Sequence, residues 1–145
     1  YDLFKQSKET IGIDISEWAI KRAKKYFKGI KFYVMDSEKT SFKDNTFDII
    51  VNTGVVQYLE KPELTINEMR RILKPGGIAI VEVPWKYSFY NLPIIRSIVT
   101  GKENPNDEPI NKCYNKKDLI NLFKNFKYIK IKNFLTLVLY GVFRK

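Results

Sequence analysis

Histidine is absent from this chain of 145 residues, and cysteine occurs once, at Cys113. A single cysteine excludes a disulfide framework, and without histidine or a CxxC pair the chain offers no metal site of the structural zinc type. Histidine is also the commonest general base near neutral pH. A base in this chain would have to be Asp, Glu, Lys, Tyr or Cys, so we name no catalytic base from the sequence.

Long hydrophobic runs are also lacking. The longest, near residues 78–83 and 134–143, are shorter than the roughly 20 residues that a membrane-spanning helix needs. The first residues do not resemble a secretory signal peptide. We therefore expect a soluble, cytoplasmic protein with no membrane partner.

Acidic residues are few relative to basic ones, with 16 Asp and Glu against 26 Lys and Arg and a formal net charge of +10. Such a charge is typical of proteins that bind nucleic acid. The lysines are scattered, however, and mostly occupy the expected polar faces of helices or strand edges. They include Lys21, Lys24, Lys25, Lys28, Lys31, Lys116, Lys117, Lys124, Lys127, Lys130 and Lys132. We interpret the charge as a solvated basic surface and expect no nucleic-acid partner.

One pattern between residues 47 and 84 indicates a fold. Residues 47–52 are nearly all apolar, which is typical of a parallel strand buried on both faces by helices. Pro62 suits the first turn of a helix, and KPGG at residues 74–77 ends that helix, because proline cannot continue it and glycine permits positive φ. A second strand follows. Strand, helix and strand in this order form a right-handed parallel unit, with ligands beyond the carboxyl ends of the strands.

The remaining pattern predicts one continuous α/β domain. Strands are expected at residues 11–15 and 31–35, with an antiparallel pair at 128–133 and 135–143. Ser16 is expected to cap a helix that Gly29 ends, and Asn115 to cap a helix through Asn125. The residues expected on the inner faces of the three helices are Ala19, Ala23, Tyr26 and Phe27, then Leu64, Met69, Ile72 and Leu73, then Leu119, Leu122, Phe123 and Phe126.

Four segments, IGIDIS, FYVMDSEKTSF, FDIIVNTGVVQYL and RILKPGGIAIVEVP, follow one another between residues 11 and 84. In order and spacing they resemble the core of class I S-adenosylmethionine (SAM)-dependent methyltransferases of the small-molecule type. The resemblance implies a Rossmann-like, doubly wound α/β sheet, mostly parallel with a carboxyl-terminal antiparallel hairpin and the strand order 3-2-1-4-5-7-6. It also implies SAM as the cofactor and a small molecule as the substrate.

The chain departs from the family at its start. The first strand and glycine-rich loop, roughly G-x-G-x-G, which precede IGIDIS in the family, are missing, and residues 1–6 look like the remains of the helix after the loop, with Leu3 and Phe4 inward. We therefore interpret residues 1–145 as a single truncated methyltransferase domain, with residues 84–114 as a substrate-lid insertion. Without the loop, we expect this stretch alone to be inactive.

Two acids follow predicted strands. By the resemblance, Asp14 with its neighbour Ile15 belongs to the cofactor site, where the carboxylate accepts hydrogen bonds from both ribose hydroxyls. Asp36 accepts from the adenine amino group, and the amide of Ser37 meets a ring nitrogen. For each aspartate the alternative is an ordinary turn or capping residue. Asp48 begins its strand at the opposite edge of the sheet, so we assign it a structural role.

The end of the strand at residues 47–52 supplies further cofactor candidates. Asn52, Thr53 and Gly54 are placed by the resemblance at the methionine portion of SAM, with an ordinary turn as the alternative. Tyr58, together with Val55 and Val56, either walls the adenine or the methyl group or belongs to the core. Many relatives carry histidine near this point, whereas this chain has Gln57 and Tyr58.

Aromatic residues follow the next strand end. Trp85, Tyr87 and Tyr90 are expected to face the acceptor substrate, and the alternative is a lid core. Cys113 is expected to be a partly buried lid residue. The reaction that the resemblance implies is in-line methyl transfer to an O, N or C nucleophile of a small molecule. The alternatives are an RNA or protein methyltransferase and a non-catalytic fragment or scaffold.

Overall fold

The computed structural model describes residues 7, 9–88, 112–135 and 137–145. The elements are β1 (Ile11–Asp14), α1 (Glu17–Tyr26), β2 (Lys31–Val34), β3 (Phe47–Thr53), a 3-10 turn (Val56–Tyr58), α2 (Pro62–Ile72), β4 (Leu73–Pro84), α3 (Lys116–Leu122), β5 (Lys127–Phe134) and β6 (Val138–Arg144). The chain divides into two compact units, Tyr1–Ser41 and Phe42–Lys145. The helix expected at residues 1–6 lies outside the described residues.

In the first unit, β1 and β2 pair in parallel from Ile11↔Lys31 to Asp14↔Val34, with α1 as the connection between them. Ser16 caps α1 as predicted, because its hydroxyl accepts a hydrogen bond from the backbone N–H of Ala19 at 3.2 Å. Gly29, at a φ of +85°, adopts the left-handed conformation that was predicted for the turn into β2.

The buried face of α1 differs from the prediction. Tyr26 is 65% exposed and Phe27 is 48% exposed, whereas Ile20, which was not expected inward, is buried. The helix ends at Tyr26, so the extended backbone of Phe27 no longer follows the helical period. Two strands of four residues each offer too little surface to cover the last turn of the helix.

In the second unit, four strands form a sheet in the order β3-β4-β6-β5. β3 and β4 are parallel, and β6 runs antiparallel to both β4 and β5. In the strand numbering of the family that the sequence resembles, β3, β4, β6 and β5 correspond to strands 4, 5, 7 and 6. In the first unit, β1 and β2 correspond to strands 2 and 3. The prediction of an α/β fold with a carboxyl-terminal antiparallel hairpin is confirmed. Among the described strands, β1 pairs with β2 alone and β3 with β4 alone.

Helices α2 and α3 cover one face of this sheet. Alternate residues of β4 and β6 point towards these helices and form the core with them. Gly141 on β6 leaves room for the ring of Phe143, since a Cβ at Gly141 would lie 2.5 Å from Cε2 of Phe143. The buried cluster consists of Val56, Ile66, Met69, Leu73, Ala79, Val81, Val83, Tyr114, Leu119, Phe123, Phe126, Ile131, Leu139 and Phe143. The inward faces predicted for α3 and for Met69 and Ile72 of α2 are therefore correct.

Two burial predictions in the second unit are wrong. Leu64 is 44% exposed, and Thr65 and Ile66 are buried in its place, because they precede Met69 by four and three residues and so share its face. β3 is not buried on both faces, since Ile49 and Val51 are 46% and 47% exposed. They lie on the sheet face opposite α2 and α3.

Replacing Asn115 by Ala should lower the free energy of unfolding by about 1 kcal/mol, within a range of about 0.5–2 kcal/mol. The Asn115 side chain accepts from the backbone N–H of Asp118 at 3.0 Å, and the Asp118 carboxylate accepts from the N–H of Asn115 at 3.0 Å. Urea unfolding measures the loss. Asn121→Ala, an exposed change in the same helix, is the control, and equal losses in both variants would contradict the capping role.

Candidate cofactor and substrate site

Asp14 is the last residue of β1 and is exposed to solvent. Its Oδ1 accepts a hydrogen bond from the backbone N–H of Ser16 at 2.8 Å, which holds the carboxylate in place. Its carbonyl accepts from the N–H of Met35 at 2.9 Å, which ties the ends of β1 and β2 together. Its Oδ2 makes no hydrogen bond within the described part of the chain, so one acceptor remains for a ligand. Ile15, beside it, is 73% exposed.

Asp36 follows β2 and repeats this arrangement. Its Oδ1 accepts from the backbone N–H of Glu38 at 2.8 Å, and its side chain is exposed, with half-buried Ser37 beside it. Each aspartate thus uses one oxygen as a turn residue, which was the alternative prediction, and this use leaves the other oxygen for a ligand. Since β1 and β2 are parallel neighbours, Asp14, Ile15, Asp36 and Ser37 share one edge of the first unit.

In the second unit, β3 ends in the predicted turn. Gly54 has a φ of +70°, which strongly favours glycine, and a Cβ there would approach only the Nε2 of Gln57, at 3.9 Å. Asn52 is buried and Thr53 is exposed. Asn52, Thr53 and Gly54 therefore lie together at the carboxyl edge of the β3–β4 pair.

Two buried amides at this edge have unpaired acceptors. Asn52 Oδ1 and Gln57 Oε1 are buried and find no hydrogen-bond partner among the described residues. An unsatisfied buried acceptor costs about 1–3 kcal/mol, so a ligand that donates hydrogen bonds here would recover that cost. These two acceptors suit a donor such as the ammonium group of SAM. The sequence did not single out the buried amide of Gln57, because burial in a one-turn helix has no periodic signal.

The neighbouring residues of the 3-10 turn separate into core and surface. Val56 is fully buried in the hydrophobic cluster, so its role is packing. Tyr58 is 44% exposed, so it belongs to the surface of this turn.

Aromatic residues follow β4 at the same sheet edge. Trp85 donates its backbone N–H to the carbonyl of Leu137 at 3.0 Å, and its half-buried ring packs against the core. The ring of Tyr87 meets that of Trp85 edge-on at a centroid distance of 5.8 Å and is 64% exposed. Tyr90 lies outside the described residues. Trp85 therefore has a packing role, as the lid-core alternative proposed, whereas Tyr87 presents a free ring surface.

Two tyrosines of the second unit are unsuited to act as bases. Burial raises the pKa of Tyr114 to about 12. A hydrogen bond with Glu82 raises the pKa of Tyr140. Both phenols therefore stay protonated at neutral pH. Glu82 pairs in register with Thr53 on one side and with Tyr140 on the other, a placement that the sequence did not indicate.

Asp48 and Cys113, to which the sequence analysis gave no cofactor role, are also not part of the candidate site. Asp48 lies near the start of β3 and forms an ion pair with Lys74 at 2.8 Å, which agrees with a structural role. Cys113, the single cysteine of the chain, is half-buried and forms no disulfide. The described ranges contain no group of three His, Cys, Asp or Glu side chains that could hold a metal ion. None of the described helices is long and apolar enough to cross a membrane.

Comparison with known proteins decides the family. Residues 1–81, more than half of the chain, match the family described as a methyltransferase domain. The chain belongs to this methyltransferase family. The matched residues contain Asp14, Asp36, Asn52 and Tyr58, and they end before Trp85. The prediction of a class I SAM-dependent methyltransferase, with SAM as the family's cofactor, is confirmed, whereas the missing glycine-rich loop stays a prediction.

Individual relatives match only about half of this chain. An uncharacterised protein of Methanocaldococcus jannaschii is 38% identical over 79 residues, which are 54% of this chain and 38% of that protein. A ubiquinone/menaquinone biosynthesis C-methyltransferase of Desulfotalea psychrophila is 34% identical over 71 residues, 48% of this chain and 29% of that protein. The chain thus spans about a third of the length of these two relatives.

Solved structures show the fold beyond Pro84. The N-methyltransferase NodS of Bradyrhizobium japonicum, in complex with S-adenosyl-L-homocysteine, superposes with a TM-score of 0.69 at 20% identity. The match covers 99% of this chain and 70% of that chain. At 20% identity this similarity shows that the two chains share a fold, and it gives no information about the substrate.

Proposed function

We propose that the protein transfers the methyl group of SAM to a small molecule. The observation that carries this proposal is the pair of aspartates at the ends of parallel strands in a member of this family. Asp14 and Asp36 each anchor one oxygen on a nearby backbone N–H, at 2.8 Å in both cases, and keep the second oxygen for a ligand. The turn role occupies only one oxygen of each carboxylate, so binding of SAM is the property that separates this proposal from the scaffold alternative.

The residues of the chain would hold the cofactor as follows. Asp14 would accept from the ribose hydroxyls with Ile15 against the sugar or ring, and Asp36 would accept from the adenine amino group beside Ser37. Asn52, Thr53 and Gly54 would meet the methionine portion, where the buried Oδ1 of Asn52 accepts from the ammonium group. Tyr58 would cover part of the cofactor. When bound, SAM supplies an electrophilic sulfonium methyl group.

The acceptor would lie near the carboxyl edge of β4, against Tyr87 and Tyr90, with Trp85 as the packed base of this wall. The similarity to a ubiquinone/menaquinone biosynthesis C-methyltransferase supports a small acceptor. The protonated phenols of Tyr114 and Tyr140 remove two candidate bases. Alignment of the acceptor and exclusion of water would then provide most of the rate enhancement.

Titration calorimetry on the full-length protein tests the proposal. We expect SAM and S-adenosylhomocysteine to bind at one site, and labelled SAM to transfer its methyl group to a member of a panel of quinols, phenols and amines. Transfer only to RNA or to protein side chains would replace the small-molecule proposal. Absence of SAM binding would support the scaffold alternative.

Tyr87→Leu should raise the KM for the acceptor about fivefold, because it removes an aromatic contact of roughly 1 kcal/mol. The dissociation constant of SAM should stay unchanged. Steady-state kinetics and calorimetry measure the two quantities. Tyr26→Leu is the matched control, since Tyr26 is 65% exposed and is not among the residues proposed for the cofactor or the acceptor. An unaltered KM in Tyr87→Leu would reduce Tyr87 to a packing role.

A further inference from the structure

Three described residues at the turn between β5 and β6 are apolar and exposed, although surface turns are usually polar. Phe134, Leu135 and Leu137 are 56%, 71% and 43% exposed, and we call these three residues the hairpin tip. Leu135 adopts a φ of +49°, a left-handed conformation that a leucine rarely occupies and that holds its side chain at the turn. Three large apolar side chains in one exposed turn indicate a binding surface.

Two lysines of the edge strand lie behind the hairpin tip, whereas the basic pair Lys127 and Arg144 lies at the opposite end of the hairpin. On β5, Lys130 and Lys132 are exposed, and their register partners on β6, Val142 and Tyr140, lie four and two residues from Val138, the partner of Phe134. Phe134, Lys132 and Lys130 therefore project from the same face of the edge strand, with the apolar residue outermost.

The hairpin tip lies next to the proposed acceptor wall. The Leu137 carbonyl accepts the backbone N–H of Trp85 at 3.0 Å, so the hairpin tip adjoins the carboxyl end of β4. Lysines on an edge strand can also serve only to prevent sheet-to-sheet association. That role does not account for an exposed phenylalanine and two leucines at the end of the same hairpin.

We propose that the hairpin tip inserts into the surface of an anionic lipid bilayer while Lys130 and Lys132 contact the lipid headgroups. Peripheral membrane binding requires apolar side chains that enter the bilayer interface and basic side chains that contact the negative headgroups. The proposal replaces the sequence-based expectation of no membrane partner. It is independent of methyl transfer, because it concerns only residues outside the proposed cofactor contacts.

Sedimentation of the full-length protein with vesicles tests this proposal. Vesicles of equal parts phosphatidylglycerol and phosphatidylcholine should bind the protein, vesicles of phosphatidylcholine alone should bind it far less, and added salt should weaken the binding. The double change Phe134→Ser with Leu135→Asn should reduce binding at least about tenfold. Asparagine tolerates the left-handed backbone of position 135, so the turn is retained. Lys130→Gln and Lys132→Gln should each reduce binding about fivefold.

Ile120→Ser, at an exposed isoleucine of α3, is the control and should leave vesicle binding unchanged. Circular dichroism verifies that each variant is folded. Binding that is equal in the wild type and the hairpin-tip variant would overturn the proposal. Binding to single-stranded RNA, but not to vesicles, that requires Lys130 and Lys132 would assign the surface to nucleic acid instead. SAM is omitted throughout, so a negative result leaves the proposed methyl transfer untouched.

Discussion

Asp14→Ala should weaken SAM binding to the full-length protein about ten- to hundred-fold. The change removes the acceptor that is not engaged in the turn at Ser16, and losing charge-assisted hydrogen bonds costs roughly 1.5–3 kcal/mol. Titration calorimetry measures the dissociation constant. Asp14→Asn retains Oδ1 for the N–H of Ser16 but lacks the charge, so it should give a smaller loss and show how much of the effect belongs to the ligand.

Asp48→Asn is the matched control for Asp14. Asp48 is also an exposed acid of a parallel strand, but it lies at the opposite end of its strand and pairs with Lys74. A surface ion pair of this kind contributes about 0–1 kcal/mol, so the variant should fold and bind SAM nearly as the wild type does. Unchanged affinity in Asp14→Ala would remove Asp14 from the proposed site without deciding the fate of Asp36.

Phe143→Ala should lower the free energy of unfolding by about 3–5 kcal/mol. Phe143 is fully buried, and its ring stacks on that of Phe123 at a centroid distance of 4.1 Å and an interplanar angle of 11°. Truncation leaves a cavity beside Phe123, which directly follows α3 and whose ring loses its stacking partner. A loss of this size is a large fraction of the roughly 5–15 kcal/mol of a typical domain.

Guanidinium unfolding of the full-length protein measures that loss. Phe134→Ala in the same hairpin is the matched control, because its ring is 56% exposed, and surface changes usually alter stability by about 0.5 kcal/mol or less. Similar losses in both variants would contradict the position of Phe143 in the core. The same control variant should lose vesicle binding, which separates the stability of the hairpin from its surface function.

Turns and caps were predicted well because their signals are local. Ser16 and Asn115 cap their helices through contacts three residues away, and Gly29 and Gly76 take the positive φ that their positions require. Pro62 begins α2 as expected. Each of these outcomes depends on backbone geometry within a few residues, so no distant part of the chain has to be known.

Burial was predicted less well because it depends on what covers a face. The periods of α2 and α3 identified Met69 and Phe123, but Leu64 and Tyr26 are exposed. An apolar residue in a helix is buried only where a neighbouring element reaches it. For the same reason, the apolar run of β3 did not reveal that Ile49 and Val51 face away from both covering helices.

For the site, the sequence by itself determined which acids end parallel strands, because strand period and loop position place Asp14 and Asp36 without further information. It also indicated the family, which the match over residues 1–81 confirmed. Only the tertiary structure decided that the buried acceptors of Asn52 and Gln57 have no partner among the described residues, that Glu82 meets Tyr140, and that the hairpin tip is exposed. These features arise from residues brought together across strands, and their burial and pairing depend on neighbours that no local pattern specifies.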